Sequence, residues 1–511
     1  MIDLYDIFIY SSSKPLLFTR VYFWGFFLIL LLFYSFLYKK PVIRNSYLFL
    51  MSLFFYYKSG GYFFSLLIFS TIADYTLGNL IYKSHTKIYK KLFVALSVII
   101  NLGLLGYFKY SYFLVNTINQ LFNTNLEVVN HMAVWSNTLA NTHFDISTII
   151  LPVGISFYTF QTISYTVDVY RGKVKPVKNI IDFGFYVSFF PQLVAGPIVR
   201  AAEFIPQLYQ KFHLTKREFG HAVFLILNGL IKKMVVSDYI SVNFVDRVFQ
   251  SPGSFTGFEN LMGVYGYSVQ IYCDFSGYTD IAIGVALLLG FRLPINFNSP
   301  YKALNVSDFW HRWHISLSSW LRDYLYIPLG GNRKGAVRTD INLMITMLLG
   351  GLWHGASVRF IIWGGIHGLA LVIQKMWAKF NLSLSKYYSS RHTKNWVYRF
   401  ISIFTTFNLV SFAWIFFRAE SFSAAKTMIQ QIGSNFQFSL IPEIFQGYHK
   451  IFAIIIITLI IHWLPSAWKE TIRGWFIKTP IVVKILIVVL AVILIYQFKT
   501  AEIQPFIYFQ F

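Results

Sequence analysis

The sequence of 511 residues predicts an all-α polytopic membrane protein with about 11–13 membrane helices, joined by re-entrant and interfacial segments. Three observations predict this class. Hydrophobic residues make up 56% of the chain and charged residues 13%, whereas soluble domains carry about 25% charge. Apolar stretches recur at the length that a helix needs to cross a bilayer. The basic residues fall in short clusters between those stretches.

Twelve stretches have the length and apolarity of membrane helices. They cover residues 21–38, 45–58, 61–81, 92–109, 148–167, 219–236, 258–290, 340–358, 359–378, 398–417, 449–464 and 481–498. The apolar stretch 180–199 is broken by Pro191, Gly196 and Pro197, and we expect it to be re-entrant and packed within protein. No repeat or soluble extension interrupts the pattern, so one integral-membrane domain over 1–511 is expected.

The distribution of lysine and arginine predicts an orientation. Most of the 44 basic residues lie in linkers that share one side, whereas segment 110–147 on the other side has none. The positive-inside rule places the basic side in the cytoplasm and both chain termini outside. It also explains the net charge of +23 without a nucleic-acid partner. Lys232 and Lys233 fit badly, because they lie near the outer end of a span; either the span is misplaced or they line a cavity.

One span carries polar residues at helical spacing. Gln270, Asp274 and Tyr278 fall at positions i, i+4 and i+8, which share one face of a helix. Ionisable residues inside a membrane are costly and are often functional. The face therefore forms hydrogen bonds between helices or is one wall of a polar reaction cavity.

The segment 309–335 predicts a helix that lies at the cytoplasmic surface or dips into the bundle, because a tryptophan- and leucine-rich stripe faces polar residues. On such a helix His311 and His314 share a face, which leaves a metal pair as one possibility. Asn305 and Asp308 precede the helix and are candidates to cap its start. With a single cysteine, Cys273, neither an internal disulfide nor a cysteine-based metal cluster is expected.

Two further histidines lie in apolar helices. His354 is deep within its span, and the glycines and alanine beside it are expected to open space for a substrate. Histidine titrates near pH 6.5, which suits proton transfer at neutral pH. His367 is expected to be structural.

Five stretches carry a resemblance. They are "SFYTFQTISYTVDVYRG", "FFPQLVAGPIVR", "QIYCDFSGYTDIAIG", "FNSPYKALNVSDFWHRWHISLSSWLRDYLYIPLGGNRKG" and "GGLWHGAS". Together and in this order they resemble the membrane-bound O-acyltransferase (MBOAT) superfamily. The branch is the bacterial one of alginate O-acetylase, the peptidoglycan O-acetyltransferase membrane subunit and the membrane protein of teichoic-acid D-alanylation.

The resemblance implies a ring-like bundle, thin at its centre, whose tunnel links the two membrane faces. Its core would cover about 150–420, followed by an extracytoplasmic tail at 499–511. The family histidine of the "WHG" motif corresponds to His354, which would be the general base. The histidine of "RWHxSLSxW" corresponds to His314, which would bind or orient the acyl donor.

The remaining site residues follow from the same resemblance. Arg312 and nearby basic residues would bind the phosphates of coenzyme A, although the positive-inside pattern explains them equally well. The other expected substrate- and donor-binding residues are Asn305, Asp308, Gln270, Asp274, Tyr278 and Trp353.

The implied reaction moves an acyl group, most simply acetyl, from cytoplasmic acetyl-CoA to an extracytoplasmic polysaccharide. Acetyl-CoA is then a substrate, and neither a bound cofactor nor a metal is expected. The implied location is the bacterial cytoplasmic membrane, and the implied partner is a periplasmic SGNH-type transferase. Alginate, peptidoglycan and other exopolysaccharides all fit as acceptors.

The chain ends in "FIYFQF", which contains Tyr508. An aromatic anchor at the outer interface is one interpretation. In the related D-alanylation system a small protein ends in a similar motif, whose tyrosine is thought to carry the acyl group. The resemblance therefore implies that Tyr508 accepts the acetyl group, with Phe506, Phe509 and Phe511 anchoring its insertion.

Two other functions are compatible with the polar residues. A polysaccharide transporter or flippase would use them to line a path. A di-iron membrane desaturase or hydroxylase would need several histidine boxes, of which "HRWH" is a single example.

Overall fold

The computed structural model describes residues 8–11, 14–385, 396–498 and 506–507. In these ranges all regular secondary structure is helical, which confirms the predicted all-α class. The chain divides into two compact units, Met1–Phe212 and His213–Phe511. The single domain predicted over 1–511 stays a prediction.

The first unit contains helices α1 to α10. They are α1 Val21–Leu37, α2 Pro41–Gly60, α3 Phe64–Lys83, α4 Lys87–Leu105, α5 Ser111–Phe122, α6 His131–Ala140, α7 Ile155–Tyr170, α8 Ile180–Ser188, α9 Phe190–Leu193 and α10 Ala201–Leu208. A buried polar cluster joins three of them: Asp74 of α3 accepts hydrogen bonds from Ser97 (2.5 Å) and Asn101 (2.7 Å) of α4, and Thr162 of α7 donates to Asn101. Such pairing satisfies polar groups that would otherwise be costly to bury.

The second unit contains helices α11 to α24. They are α11 Lys216–Leu230, α12 Asp238–Ile240, α13 Asp246–Gln250, α14 Gly257–Leu288, α15 Val306–Trp310, α16 Ile315–Leu321, α17 Ala336–His354, α18 Val358–Ser385, α19 Trp396–Arg418, α20 Phe422–Ser434, α21 Ile441–Gly447, α22 His449–Trp463, α23 Ser466–Lys478 and α24 Ile481–Phe498. The long helix α14 starts at a capping box between Thr256 and Glu259 and packs against α11.

The chain between α11 and α13 winds as two π-helical segments, Ile231–Ser237 and Ser241–Val245. π-helical turns are rare and often mark functional sites, because they redirect the side chains that follow. Here they turn Lys233 and Ser241 towards α14.

Helices overlap every predicted span, and in the described part of the chain seven helical runs are long and apolar enough to cross a membrane. An eighth results if the bent pair Phe438–Gly447 and His449–Trp463 is counted as one span. The second and third predicted spans form one helical run, Pro41–Lys83, interrupted only by a short turn. The span predicted at 148–167 is helical only from Ile155 onward, because Gly154 takes a left-handed conformation (φ +76°).

The stretch predicted to be re-entrant consists of the short helices α8 and α9 followed by irregular backbone. Nearly all of 182–199 is buried, as non-helical backbone within a membrane protein must be. In contrast, the prediction of one continuous helix over 309–335 is wrong. The helical segment is broken between Trp310 and Ile315, where His314 adopts φ +43°, and it ends in a π-helical turn over Arg322–Tyr326.

Candidate active site

His354 is the last residue of α17. The helix ends there because the next residue, Gly355, has extended backbone (φ −163°). His354 thus lies about 27 Å from the first residue of α17 at 1.5 Å per residue. Its side chain is 3% exposed, so it sits inside the unit rather than on its surface.

Three aromatic rings surround the His354 imidazole. Trp353 lies 4.9 Å away, Trp363 of α18 5.0 Å and Phe417 of α19 5.2 Å, measured between ring centroids, and all three meet it edge-on. Aromatic walls exclude water, and in a dry site each hydrogen bond or charge counts for more than in water. This environment is suited to proton transfer with a substrate that reaches the imidazole.

The glycines next to His354 do not open a cavity, contrary to the prediction. A Cβ atom on Gly351 would lie 2.1 Å from the Phe360 carbonyl oxygen, and one on Gly355 would lie 2.0 Å from the Phe360 ring. These residues are therefore glycine because α17 and α18 pack in close contact, as small residues allow in membrane bundles. The tight turn fixes the position of His354 at the end of α17.

His314 is fully buried, and Asn296 orients it. Its Nδ1 lies 3.2 Å from Asn296 Oδ1, which also accepts hydrogen bonds from the backbone N–H (3.1 Å) and hydroxyl (2.8 Å) of Ser316. An oxygen that accepts the Ser316 N–H also accepts from His314, so Nδ1 carries the proton and Nε2 keeps its lone pair. Burial lowers the pKa of His314 to about 3, and the ring is neutral at physiological pH.

Trp353 connects the two predicted histidines. Its ring contacts His354 at 4.9 Å and His314 at 6.0 Å. On its other side His314 packs edge-on against Phe275 of α14, at 4.7 Å. The structure therefore brings His314, Trp353 and His354 together, although they come from segments 40 residues apart in the chain.

Asp274 and Lys233 form a buried ion pair on α14 and the π-helical segment. Lys233 Nζ lies 2.5 Å from Asp274 Oδ1 and 2.8 Å from Asp238 Oδ1, and the Lys233 side chain is 1% exposed. Lys233 did not fit the predicted topology because it lies near the outer end of a predicted span. The structure explains this position: the lysine is buried in the second unit and paired with two carboxylates. Its neighbour Lys232 pairs with Asp280 at 2.7 Å.

The C-terminal residues Phe506 and Ile507 contact this ion pair. The Ile507 backbone N–H donates to Asp274 Oδ2 at 3.1 Å. The Phe506 ring meets Tyr278 edge-on at 4.2 Å and lies 4.8 Å from Lys233 Nζ. Both residues are buried, and we refer to the residues that hold them, Asp274, Lys233 and Tyr278, as the tail seat.

We refer to His314, Trp353, His354, Trp363 and Phe417 as the histidine cluster. One hydrophobic core connects this cluster with the tail. Ile507 belongs to the same core as Trp363 and Phe417, two of the rings that contact His354. Phe275, the residue after Asp274, contacts His314. Tyr508 itself lies outside the described residues.

Gln270 belongs to a second polar chain on α14. Its amide donates to Ser241 Oγ (2.8 Å), which donates to Asp246 (2.6 Å), and Asp246 pairs with Arg418 (2.6 Å). Arg418 directly follows Phe417 of the histidine cluster. The predicted polar face of α14 thus binds the two π-helical segments and the tail.

The predicted donor residues at α15 form a separate group. Asn305 caps α15 by accepting the Asp308 N–H at 2.9 Å, as expected for a cap, and Asp308 pairs with Arg312 at 2.7 Å. Lys302 and Lys469 lie close enough to influence each other electrostatically. Burial and the neighbouring cations, Arg312 for Lys302 and Lys302 for Lys469, lower the pKa of both lysines, that of Lys469 to about 8.

Two other histidines were singled out in the sequence, His311 and His367, and their surroundings differ. His311 is exposed and contacts the Ser307 carbonyl oxygen, so the helix break separates it from the buried His314. His367 is fully buried among Phe309, Trp310 and Trp363, which agrees with the expected structural role without testing it. Across the described ranges no three His, Cys, Asp or Glu side chains converge as metal ligands.

Sequence reasoning missed several residues of this site. Asn296, Trp363 and Phe417 position the two histidines, yet each looks like an ordinary loop or core residue in the sequence. Lys233 carried a detectable signal, namely a charge at the wrong depth of a predicted span.

The sequence was compared with known protein families and proteins, and the matches identify the class of protein to which this fold and histidine cluster belong. The profile of the membrane-bound O-acyltransferase family, MBOAT, matches residues 175–416, which include His314, Trp353 and His354. The chain belongs to this family of membrane O-acyltransferases.

Three relatives are similar to this chain over 67%, 81% and 72% of its length. A probable alginate O-acetylase of Pseudomonas syringae pv. tomato is 41% identical over 343 residues, which are 67% of this chain and 60% of that protein. A probable alginate O-acetylase of Pseudomonas putida is 36% identical, over 81% of this chain and 84% of the relative. A peptidoglycan O-acetyltransferase of Helicobacter pylori is 37% identical, over 72% of this chain and 70% of the relative.

Proposed function

We propose that this protein transfers an acetyl group from cytoplasmic acetyl-CoA to its own Tyr508, from which a periplasmic SGNH-type transferase delivers it to an extracytoplasmic polysaccharide. The polysaccharide acceptor is inferred from the relatives named for alginate and peptidoglycan O-acetylation. The observation that carries the proposal is the packing of Ile507, the residue before Tyr508, in the same core as the ring neighbours of His354.

The reaction needs a base, a nucleophile and a leaving group. His354 removes the proton from the Tyr508 hydroxyl as the phenolic oxygen attacks the thioester carbonyl carbon. The C–S bond then breaks, and the proton on the imidazole passes to the departing thiolate, which leaves as coenzyme A. A positioned base of this kind contributes about 10²–10⁴-fold in rate.

A phenol is a suitable carrier. Its pKa is about 10, against 15.7 for water as a reference for a plain hydroxyl. A tyrosyl ester therefore has a better leaving group than a sugar ester, and it retains enough transfer potential to acetylate a polysaccharide. To form the tyrosyl ester, only the phenolic proton of Tyr508 must be removed, and a neutral imidazole can accept it.

A group of basic residues supports the proposed binding of the acyl donor, acetyl-CoA. In the described part of the chain, Lys302, Arg312 and Lys469 form a partly buried basic group in which Arg312 pairs with Asp308, and its three cations suit the phosphates of coenzyme A. His314, whose Nε2 can accept a hydrogen bond and whose ring contacts Trp353, is suited to bind an amide N–H of the pantetheine arm and so to orient the thioester between this basic group and His354. In this proposal the two histidines have different roles: His354 moves the proton and His314 positions the donor.

The test uses the purified full-length protein with radiolabelled acetyl-CoA, followed by mass spectrometry of the C-terminal peptide. We expect wild type to gain one acetyl group on Tyr508. His354→Ala and Tyr508→Phe should remain unlabelled.

The matched control is Tyr496→Phe, which removes the hydroxyl of another exposed tyrosine near the chain end and should acetylate normally. In cells, normal O-acetyl content of the polymer in the His354→Ala strain would refute the enzymatic proposal. Loss of polymer export in that strain would favour a transporter.

A further inference from the structure

The first unit contains a cavity of about 380 Å³ that no part of the proposed reaction uses. It lies where α2 ends and α3 begins, and the segment 130–150 covers it. This volume lies in the range of about 300–1,000 Å³ that is usual for sites of small ligands.

The cavity lies at the opposite end of α2, α3 and α4 from their largely exposed basic residues at 39–40 and 83–91, and the two lysines at its own end, Lys58 and Lys109, are buried and half-buried. Helix α2 runs from Lys40 to the cavity at Gly60, and α3 runs from the cavity to Lys83. Helix α4 starts at Lys87 and leads to Phe108, which lines the cavity. By the positive-inside rule the cavity faces the non-cytoplasmic side.

Aromatic rings dominate the wall. Tyr10, Tyr62, Phe63, Phe108 and Phe144 line the cavity, and Tyr62 meets Phe144 at 6.2 Å between centroids. The rings of Tyr62 and Phe144 are 63% and 44% exposed. Such open aromatic faces, which pack well against the C–H faces of sugar rings, suit a ligand that is apolar on one side and polar on the other.

Glycine at the floor makes room for one of these rings. Gly61 adopts φ +65°, and a Cβ atom there would lie 2.9 Å from the Tyr10 ring. A larger residue would be strained by the backbone and would displace the ring.

Polar groups lie around the same rings. Ser65, Asn130, Ser136, Asp145 and Thr148 contribute to the wall, which supplies hydroxyl, amide and carboxylate groups for hydrogen bonds. Several of them are already fixed: Asn130 caps α6, and Asp145 accepts hydrogen bonds from Ser147 and Thr148. A few placed polar groups among apolar ones are typical of sites that orient a ligand.

The charge of the wall limits the ligand. The described residues that line the cavity include Asp145 but no lysine, arginine or histidine. Hydrogen bonds from Ser147 and Thr148 lower the pKa of Asp145 to about 2, and the carboxylate is ionised at any physiological pH. A polyanion such as a uronic-acid polymer would be repelled here, whereas an uncharged sugar would not.

We infer that this cavity binds an uncharged glycan on the non-cytoplasmic face, with sugar rings packed against Tyr62 and Phe144 and hydroxyl groups directed to Asn130 and Asp145. The inference rests on the proposed function, because it identifies the class of polysaccharide to which the partner transferase delivers the acetyl group from Tyr508. It favours neutral or N-acetylated sugars over a polyuronate.

The experiment measures binding to the full-length protein in detergent by isothermal titration calorimetry, without acetyl-CoA. The probes are an N-acetylglucosamine tetramer and a mannuronate tetramer. We expect the uncharged tetramer to bind and the uronate not to bind. Tyr62→Ala and Phe144→Ala should each weaken binding at least about fivefold, because each removes an aromatic face that packs against a sugar ring.

Trp135→Ala is the matched control, because Trp135 is an exposed aromatic residue of the same segment that does not line the cavity. Equal or tighter binding of the uronate, no binding of the uncharged tetramer, or wild-type affinity in the Tyr62→Ala protein would overturn the inference. His354→Ala should bind the tetramer normally. Loss of acetylation with normal glycan binding, or the reverse, therefore shows which of the two proposals fails.

Discussion

Replacing Asp274 with asparagine should release the C-terminal segment while leaving the fold in place. The Asp274 carboxylate uses one oxygen for Lys233 (2.5 Å) and the other for the Ile507 N–H (3.1 Å). An asparagine amide has an oxygen at one of these two positions and an NH₂ group, which is a donor, at the other, so it can accept from Lys233 or from Ile507 but not from both. Lys233 keeps Asp238 as a partner at 2.8 Å, which limits the cost to the fold.

The magnitude follows from the hydrogen bond that is lost or weakened. A hydrogen bond to a charged acceptor contributes about 1.5–3 kcal/mol, against about 0.5–1.5 kcal/mol for a neutral one. The difference of about 1.4 kcal/mol corresponds to a tenfold change in an equilibrium constant. We therefore expect the ratio of seated to released tail to fall roughly tenfold.

Hydrogen–deuterium exchange of the C-terminal peptide measures this ratio, because an amide exchanges when its hydrogen bond opens. Exchange at Ile507 should accelerate roughly tenfold in the Asp274→Asn protein. The kcat for acetylation of Tyr508 should fall, whereas the KM for acetyl-CoA should stay unchanged, because Asp274 acts through the tail and not on the donor.

The matched control is Asp280→Asn. It removes one carboxylate from the same helix, but that carboxylate pairs with Lys232 (2.7 Å) and Asn228 (2.7 Å). Exchange at Ile507 should be unchanged in this variant. Equal protection of Ile507 in wild type and Asp274→Asn, with normal acetylation, would refute the role of the tail seat.

Three further predictions concern the histidine cluster. Gly355→Ala should lower the melting temperature and abolish acetylation, since its Cβ would overlap the Phe360 ring at 2.0 Å; Gly433→Ala, with open space around it, is the control. Asn296→Ala should reduce kcat at least tenfold with the protein still folded, because His314 loses the acceptor that fixes its tautomer, and wild-type kcat would contradict this. Because burial holds the folded-state pKa of His314 at about 3, below the unfolded value of about 6.5, its stabilising neutral form is fully present above pH 6.5 and about 2 kcal/mol is lost by pH 5. Thermal melting between pH 7 and pH 5 should show a smaller fall for His314→Gln than for wild type, and equal falls would contradict the assignment.

The membrane helices could be predicted from the sequence because their signal is local. About 20 apolar residues in a row are sufficient to place a span, and helices overlap all the predicted ones. The ends were less predictable, as at 148–167, where the chain becomes helical only after Gly154. Such an end depends on backbone conformation at one residue, which hydropathy does not record.

The histidines could be predicted, but their surroundings could not. His354 stood out because polar residues are rare in apolar segments, and His314 stood out through the "RWHxSLSxW" motif of the resemblance. The break that turns His314 inward depends on Asn296, which binds it from 18 residues away in the chain, and no local pattern reveals that contact. The glycines beside His354 were misinterpreted for a similar reason: small residues permit either a cavity or close helix contact, and only the position of Phe360 decides between them.

The charges at the tail seat explain why a backbone group from the chain end belongs there. Lys233 faces two carboxylates, those of Asp274 and Asp238, and the trio has more acceptor capacity than one ammonium group satisfies. A buried carboxylate oxygen without a donor is costly, because no water replaces the missing hydrogen bond. The Ile507 N–H supplies that donor, and Phe506 covers the ammonium group with its ring. The bound tail therefore completes the hydrogen bonding of the Asp274 carboxylate, which gives the segment that leads to Tyr508 a physical reason to enter the same core as Trp363 and Phe417, two rings that contact His354.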